Sequence, residues 1–332
     1  MPPIAKTAGI PVVSLVFPVY NEEEVLPALL KRVQGVIANL SETCEVVFVN
    51  DGSRDTSLLL LRQAAADYPW VRVVSFARNF GHQTAVSAGI AHACGEAVVV
   101  MDSDLQDPPE LLPEMLQLWR NGNEVVYCVR KKRKENIVKK ICYAGFYRLL
   151  KSVSDMDIPL DSGDFCLMDR KVVDIICALP ERNRFLRGLR AWVGFRQTAL
   201  EYERAAREAG EPKYNFRRLV KLATDGIYSF SYAPLKLAGT VGVLTALLAV
   251  LYALKVLIWR VFLHDIVPGF ATLAIAVLLL GGIQLITLYF IGEYIGRIYD
   301  ETKQRPLYIV GERIGFSPAI IESQPAASQI NK

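Results

Sequence analysis

Two apolar stretches toward the C-terminal end constrain this chain more than any other feature. Residues 233–259 carry only two charges, Lys236 and Lys255, and residues 269–292 carry none. About 20 apolar residues suffice to cross a bilayer as a helix. In lipid every backbone N–H and C=O must be satisfied within the segment, which leaves the helix as the form such stretches can take. Lys236 and Lys255 sit near the ends of the first stretch, where a long side chain reaches the headgroups. The alternative is a helical hairpin buried in a soluble core. Composition favours lipid, since 52% apolar residues and a mean hydropathy of +0.25 are rich for a wholly soluble protein. Lys213, Arg217, Arg218 and Lys221 precede the first stretch and Arg297, Lys303 and Arg305 follow the second, against Arg260, His264 and Asp265 between them. This bias predicts both termini on the cytosolic side of a multi-pass protein of the inner or plasma membrane. Residues 1–10 lack a signal-peptide core, so the preceding domain is expected to stay in the cytosol.

The first half of the chain alternates β-branched runs with helical patterns, the signature of an α/β fold with a mostly parallel sheet. Strands are predicted at 12–17, 45–49, 71–75, 96–101 and 124–129, with helices at 23–39, 56–67, 82–94 and 109–121. Polar clusters at 18–22, 50–53 and 102–107 directly follow the first, second and fourth strands. Open α/β sheets bind ligands outside the carboxyl ends of their strands, so the three clusters describe one pocket. Further on, a basic run at 130–134 leads into a helix through 151, and 161–169 reads as a loop entering a strand. Residues 214–230 form an amphipathic pattern of Phe216, Leu219, Val220, Ala223, Ile227 and Phe230 that suits the membrane surface or packing on the soluble domain. The expected organisation is a cytosolic α/β domain at 1–213, an interfacial helix at 214–232, two spans at 233–296 and a cytosolic tail at 297–332, loose from 317.

The fourth strand ends in Asp102 and Asp104, one residue apart. In an extended segment alternate side chains point the same way, so the pair can converge on Mg²⁺ or Mn²⁺, and Gln106 continues the alternation with an amide oxygen. The competing reading is an Asp-rich turn before a Pro-started helix. The six cysteines form no C-x-x-C pair and read as reduced core thiols. A net charge of +4 without a recognition motif argues against nucleic acid as a partner. His82 and His92 flank a predicted helix without metal-ligand company and are expected to serve packing or surface.

Pro18-Val19-Tyr20-Asn21-Glu22, Asn50-Asp51-Gly52-Ser53 and the Asp102/Asp104 pair together resemble the family 2 glycosyltransferases with a GT-A (Rossmann-like) fold. More narrowly, Arg78-Asn79-Phe80-Gly81-His82, the run from Asp102 to Pro109, Gly163-Asp164-Phe165, the run from Arg207 to Tyr214 and Gly292-Glu293-Tyr294-Ile295-Gly296-Arg297 are similar to the polyprenyl-phosphate glycosyltransferases. That group includes dolichyl-phosphate mannose synthases and the GtrB and ArnC types. The resemblance implies inverting transfer of a sugar from a nucleotide diphosphate sugar to a polyprenyl phosphate, with UDP-glucose the favoured donor. It implies that Pro18, Tyr20, Glu22, Asp51, Ser53 and Asp102 hold the nucleotide sugar, while Asp102, Asp104 and Gln106 hold the metal. Asn50 stands where many relatives have a further Asp. A divalent ion on Asp102 and Asp104 would stabilise the departing nucleoside diphosphate. The acceptor phosphate, with a second pKa of about 6, is already largely anionic and needs positioning more than a general base. Arg130, Arg133, Arg207 and Lys213 are the candidate cations for it, with a solvated basic face the alternative for the 130–134 run. Asp164 is either an active-site acid or a loop cap.

No Q-x-x-R-W signature of processive synthases occurs. A processive polysaccharide synthase and a non-catalytic scaffold or flippase component are the other functional classes. Glu293 and Arg297 form an i,i+4 pair near the end of the second span. Gly281, Gly282, Gly292 and Gly296 permit close helix approach in a homo-oligomer, tetrameric by analogy. Arg207→Ala is expected to impair acceptor use while leaving donor affinity intact in a calorimetric titration. Loss of the donor signal would reject the acceptor assignment.

Overall fold

The computed structural model describes residues 11–130, 162–182, 184–203, 233–263 and 269–316. The helix through 151, the amphipathic 214–230 segment, the 317–332 tail and the candidates Arg133, Arg207 and Lys213 lie outside the described residues, as does the side chain of Arg130.

Runs rich in valine build the sheet. Val13–Val19 (β1), Cys44–Asn50 (β2), Val71–Phe76 (β3) and Ala97–Val100 (β4) are parallel neighbours, and Val125–Arg130 (β5), Ser162–Asp169 (β6), Gln197–Tyr202 (β7) and Val310–Ile314 (β8) extend them. The order is β7-β5-β6-β4-β1-β2-β3-β8. β6 runs antiparallel to β4 and β5, and β8 antiparallel to β3. The five strands read from the sequence are all present within two residues of their expected ends. The 161–169 segment is strand nearly throughout rather than a loop entering one, because Cys166–Asp169 pair with β4.

Helix starts follow the prolines. Leu26–Ala38 (α1) begins three residues later than expected because Pro27 fits only the first turn, and Glu23 is spent on capping the next helix. That helix is Ser57–Asp67 (α2), followed by His82–His92 (α3). The predicted 109–121 helix splits into a 3-10 turn, Pro109–Leu111, and Leu112–Arg120 (α4), with Pro113 at the break. Arg170–Ala178 (α5) and Leu186–Trp192 (α6) come next. Leu26, Leu29 and Val33 of α1, Leu61 of α2 and Leu112, Met115 and Leu116 of α4 bury one sheet face with Val13, Leu15, Phe17 and Phe48. The other face receives α3, whose Gly89 lies over Val16 and Val49. The chain therefore leaves β1 on one face and returns to β4 from the other, which makes the carboxyl ends of β1 and β4 a topological switch point.

The boundary expected at residue 213 does not close this unit. Val310–Ile314, assigned to the tail, is its eighth strand, because β3 offers an unpaired edge that β8 covers. His92 is buried, as its packing role predicts, and burial pushes its imidazole pKa down to about 4. The described cysteines are free and buried or half-buried.

The second unit holds Ala233–Leu263 (α7) and Phe270–Thr302 (α8), which pack on each other. Both are long and apolar enough to cross a membrane. Their apolar side chains are exposed, Val243 at 70% and Leu285 at 69%, which does not fit a hairpin buried in a soluble core.

A Cβ on Gly89 would lie 2.2 Å from Val16 Cγ1. Gly89→Ala is therefore expected to destabilise the domain by about 1–3 kcal/mol through overpacking, read as a lower thermal midpoint. An unchanged midpoint would mean that α3 does not seat this closely on β1.

Candidate active site

β1 and β2 continue for three residues beyond the point where β4 stops pairing. Val16 pairs with Val100, the last residue of β4, whereas Val19 still pairs with Asn50. Met101 N–H donates to Val16 O and Asp51 N–H to Val19 O, so Val16 and Pro18 turn their backbone groups toward β4, and Val19 toward β2. Pro18, which has no N–H, thus falls where β4 has already left the ladder, and a proline is tolerated inside a central strand. The strand ends are thus staggered at the switch point, where the ladder between β1 and β4 has opened.

Two loops are laced together beside it. Asn21 N–H donates to Ser53 Oγ, Arg54 N–H to Asn21 Oδ1, Glu22 N–H to Ser57 Oγ, and Thr56 N–H and Oγ1–H to Glu23 Oε2. Buried Asn50 donates to Ser75 Oγ and accepts from Ser53 N–H, so an amide, donor and acceptor at once, is what this position uses. Tyr20 stays exposed at the rim.

Asp51 is buried, and its carboxylate gathers a third loop. Oδ1 accepts from Phe80 N–H at 2.6 Å, while Oδ2 accepts from Gly81 N–H at 3.0 Å and Asn79 Nδ2–H at 2.9 Å. Burial raises the Asp51 pKa, against these hydrogen bonds. Gly52, at φ +65°, makes the approach possible: a Cβ there would lie 2.4 Å from the backbone carbon of Arg78.

After β4 the chain bends instead of extending, with Leu105 at φ +59°. The alternation expected of a strand survives in the burial pattern: Ser103, Leu105 and Asp107 are buried, and Asp102, Asp104 and Gln106 are not. Asp104 Oδ1 accepts from Gln106 N–H at 3.2 Å. Asp107 accepts from Tyr202 O–H at 2.6 Å, tying the bend to β7. A left-handed leucine is strained, and Asn21 at φ +53° lies in the facing loop; such residues concentrate at functional sites.

Asp164 on β6 is nearly buried and accepts from Arg187 of α6 at 2.7 and 3.2 Å and from Gln83 Nε2–H at 3.2 Å. His82 Nε2 lies 3.3 Å from Asp164 Oδ2 and 3.7 Å from Asp102 Oδ1. The imidazole is 43% exposed, so the covered part of the ring opposes its charge only in part, and the hydrogen bond to Asp164 with the charges of Asp102 and Asp164 raises its pKa to about 9. For Asp164 burial likewise acts against charge, and the Arg187 and His82 partners overcome it, holding the carboxyl well below the usual range. His82, expected at the surface or in packing, is exposed and stands beside Asp164 and Asp102, because β6 carries Asp164 alongside the start of α3. Arg187 and Gln83 were not singled out from the sequence; no local pattern marks either, since their shared partner is distant along the chain. Of the phosphate candidates, only the backbone of Arg130 is described, at the end of β5 opposite Tyr202. Among the described residues no group of three or more His, Cys, Asp or Glu side chains is arranged to hold a metal.

Residues 14–176 match Glycosyl transferase family 2. The chain is 51% identical over 304 residues to the uncharacterized glycosyltransferase YkcC of Bacillus subtilis (strain 168), covering 91% of this chain and 94% of that one. It is 40% identical over 299 residues to the prophage bactoprenol glucosyl transferase homolog of Escherichia coli (strain K12), covering 90% and 98%. To the bactoprenol glucosyl transferase of Shigella phage SfV it is 41% identical over 299 residues, covering 90% and 97%.

Removing Arg187 takes the bidentate cation from the nearly buried Asp164 and leaves that carboxylate resting on Gln83 and His82. Arg187→Met is expected to destabilise the fold by up to about 3 kcal/mol, and adding Asp164→Asn to recover part of that loss. A purely additive double variant in thermal unfolding would show that the two side chains do not act as a unit.

Proposed function

The chain belongs to glycosyltransferase family 2, and from that premise we propose that it transfers glucose from a nucleotide diphosphate glucose, UDP-glucose first, to polyprenyl phosphate at the cytosolic face of a membrane, with inversion at the anomeric carbon. The observation that carries this reading is the convergence of the 18–22, 50–53 and 102–107 loops on the opening between β1 and β4. The bactoprenol glucosyl transferases that match along 90% of the chain supply the sugar and the acceptor class.

Asp102, Asp104 and Gln106 fit a hard divalent cation. They offer oxygen donors from the more open side of the bend, and Mg²⁺ is typically held by one or two carboxylates plus substrate phosphates rather than by a closed protein cage. When bound, Mg²⁺ or Mn²⁺ supplies Lewis-acid stabilisation of the leaving diphosphate. Asp51, Ser53, Tyr20, Glu22 and Pro18 are the proposed surround of the nucleotide. Asp51 serves it by fixing the 79–81 loop, since its oxygens are engaged there. Asp164, ion-paired and of low basicity, suits a positioning role better than proton abstraction, and a largely dianionic acceptor phosphate requires no abstraction. Arg130, Arg133, Arg207 and Lys213 remain the proposed phosphate cations.

The fold also bears on topology. The chain leaves the catalytic unit, forms two apolar helices and returns to the sheet as β8. Helices so bracketed cross a bilayer an even number of times, which agrees with the positive flanks on both sides. Glycines 281, 282, 292 and 296 have open space around them and suit helix contacts in a homo-oligomer.

Membranes carrying the protein, given polyprenyl phosphate and radiolabelled UDP-glucose, should yield organic-extractable label that chelation of divalent ions removes. Asp104→Asn should lower that label by at least about 100-fold, in line with losing a transition-state stabilising group. Long polymer, no turnover with any nucleotide sugar, or a fully active Asp104→Asn variant would each reject the assignment.

A further inference from the structure

The 78–81 loop is held on one side by Asp51, and what backs it on the other side comes from far along the chain. Ala77 N–H donates to Ile309 O at 3.0 Å, extending the β3–β8 ladder up to the residue before Arg78. The Tyr308 ring stacks on Phe76 with centroids 4.9 Å apart, and Phe76 meets Phe80 edge-on at 5.7 Å. Arg78 lays its guanidinium over Phe80 at 3.9 Å. Phe80 is the residue whose N–H makes the 2.6 Å bond to Asp51.

β8 itself is firmly placed. Glu312 takes both of its oxygens to Arg62 of α2, at 2.8 and 3.0 Å. Gly315, at φ +78°, lets the chain cross Val71 where a Cβ would come within 2.5 Å of the Val71 carbonyl oxygen. His92 adds its ring 6.2 Å from Tyr308 on the inner side. The loop, by contrast, ends in Gly81 at φ +101°, with no Cβ to limit its backbone.

We propose that Tyr308 is a positioning residue for the nucleotide-sugar donor: through Phe76 and Phe80 it presses the 78–81 loop onto Asp51, so the segment that follows the second apolar helix completes the donor site. This rests on reading the pocket as a nucleotide-sugar site. Only residues 303–307 separate the end of α8 from Tyr308, so the end of α8 is linked through a short segment to a residue with one ring, Phe76, between it and Phe80 of the 78–81 loop. Burial pushes the Tyr308 phenol pKa up to about 12, in keeping with a neutral packing ring.

Tyr308→Ala should raise the KM for UDP-glucose about three- to tenfold, the range an aromatic pair contributes, with kcat and the KM for polyprenyl phosphate nearly unchanged. Tyr308→Phe, which keeps the stack, should behave as the unaltered protein. A fall in kcat with an unchanged donor KM, or failure of Tyr308→Phe to restore it, overturns the assignment. Hydrogen exchange provides a readout that needs no substrate: in Tyr308→Ala the Phe80 and Gly81 amides should exchange faster while those of β1 and β2 do not. Unchanged exchange at 80 and 81, or a uniform rise across the sheet, overturns the proposal whatever the donor proves to be. An unaltered protein that binds no nucleotide, with the local exchange effect intact, overturns the functional reading and leaves the loop assignment supported.

Discussion

The site exists because neighbouring strands end at different places. β4 gives up its pairing with β1 at Val16, while β1 and β2 stay together through Val19 and Asn50. With α1, α2 and α4 on one face and α3 on the other, the mismatch falls at the crossover between faces. Pro18 and the left-handed Asn21 and Leu105 are tolerable because the ladder has opened there. Loop–loop hydrogen bonds then take over the work of backbone pairing, and buried Asn50 and Asp51 are the residues that knit them.

Charge is organised around this opening in two groups. Asp102 and Asp104 stand on the more open side of a bend. Asp164 is compensated, bound by Arg187 and Gln83 and approached by His82, which also lies near Asp102. The two carboxyl environments differ: Asp102 and Asp104 are half-buried at the bend, while Asp164 is ion-paired and nearly buried. A transfer whose nucleophile is already an anion has no need of a raised-pKa carboxylate.

The helical pair and the sheet expose different surfaces. In α7 and α8 large apolar side chains face outward, which water would penalise at about 25 cal/mol per Å² of exposed apolar surface and lipid would not. The sheet keeps its apolar residues inside, and its far edge is closed by a strand encoded after both helices. Continuity of the chain therefore links the two apolar helices to the same unit twice, across residues 203–233 and 303–309, and the second link runs into the rings that back the 78–81 loop.

Strand alternation, helix periodicity and the apolar stretches are local properties, so the first five strands, four helices and both long helices were legible in the sequence, as was the carboxylate pair, whose in-out alternation survives even where the chain bends. Helix starts were misjudged where a proline two residues in decides the first turn, at Leu26 and Leu112. What only tertiary structure decided are relations between distant residues. Arg187 and His82 meet Asp164 because β6 lies beside β4, Asn50 earns its amide from Ser75 on the next strand, and residues 310–314 join a sheet whose open edge was formed more than 230 residues earlier. Hydrophobic periodicity fixes which face each element buries. Which side chains then meet depends on strand order, and a single chain read in one direction does not contain that order.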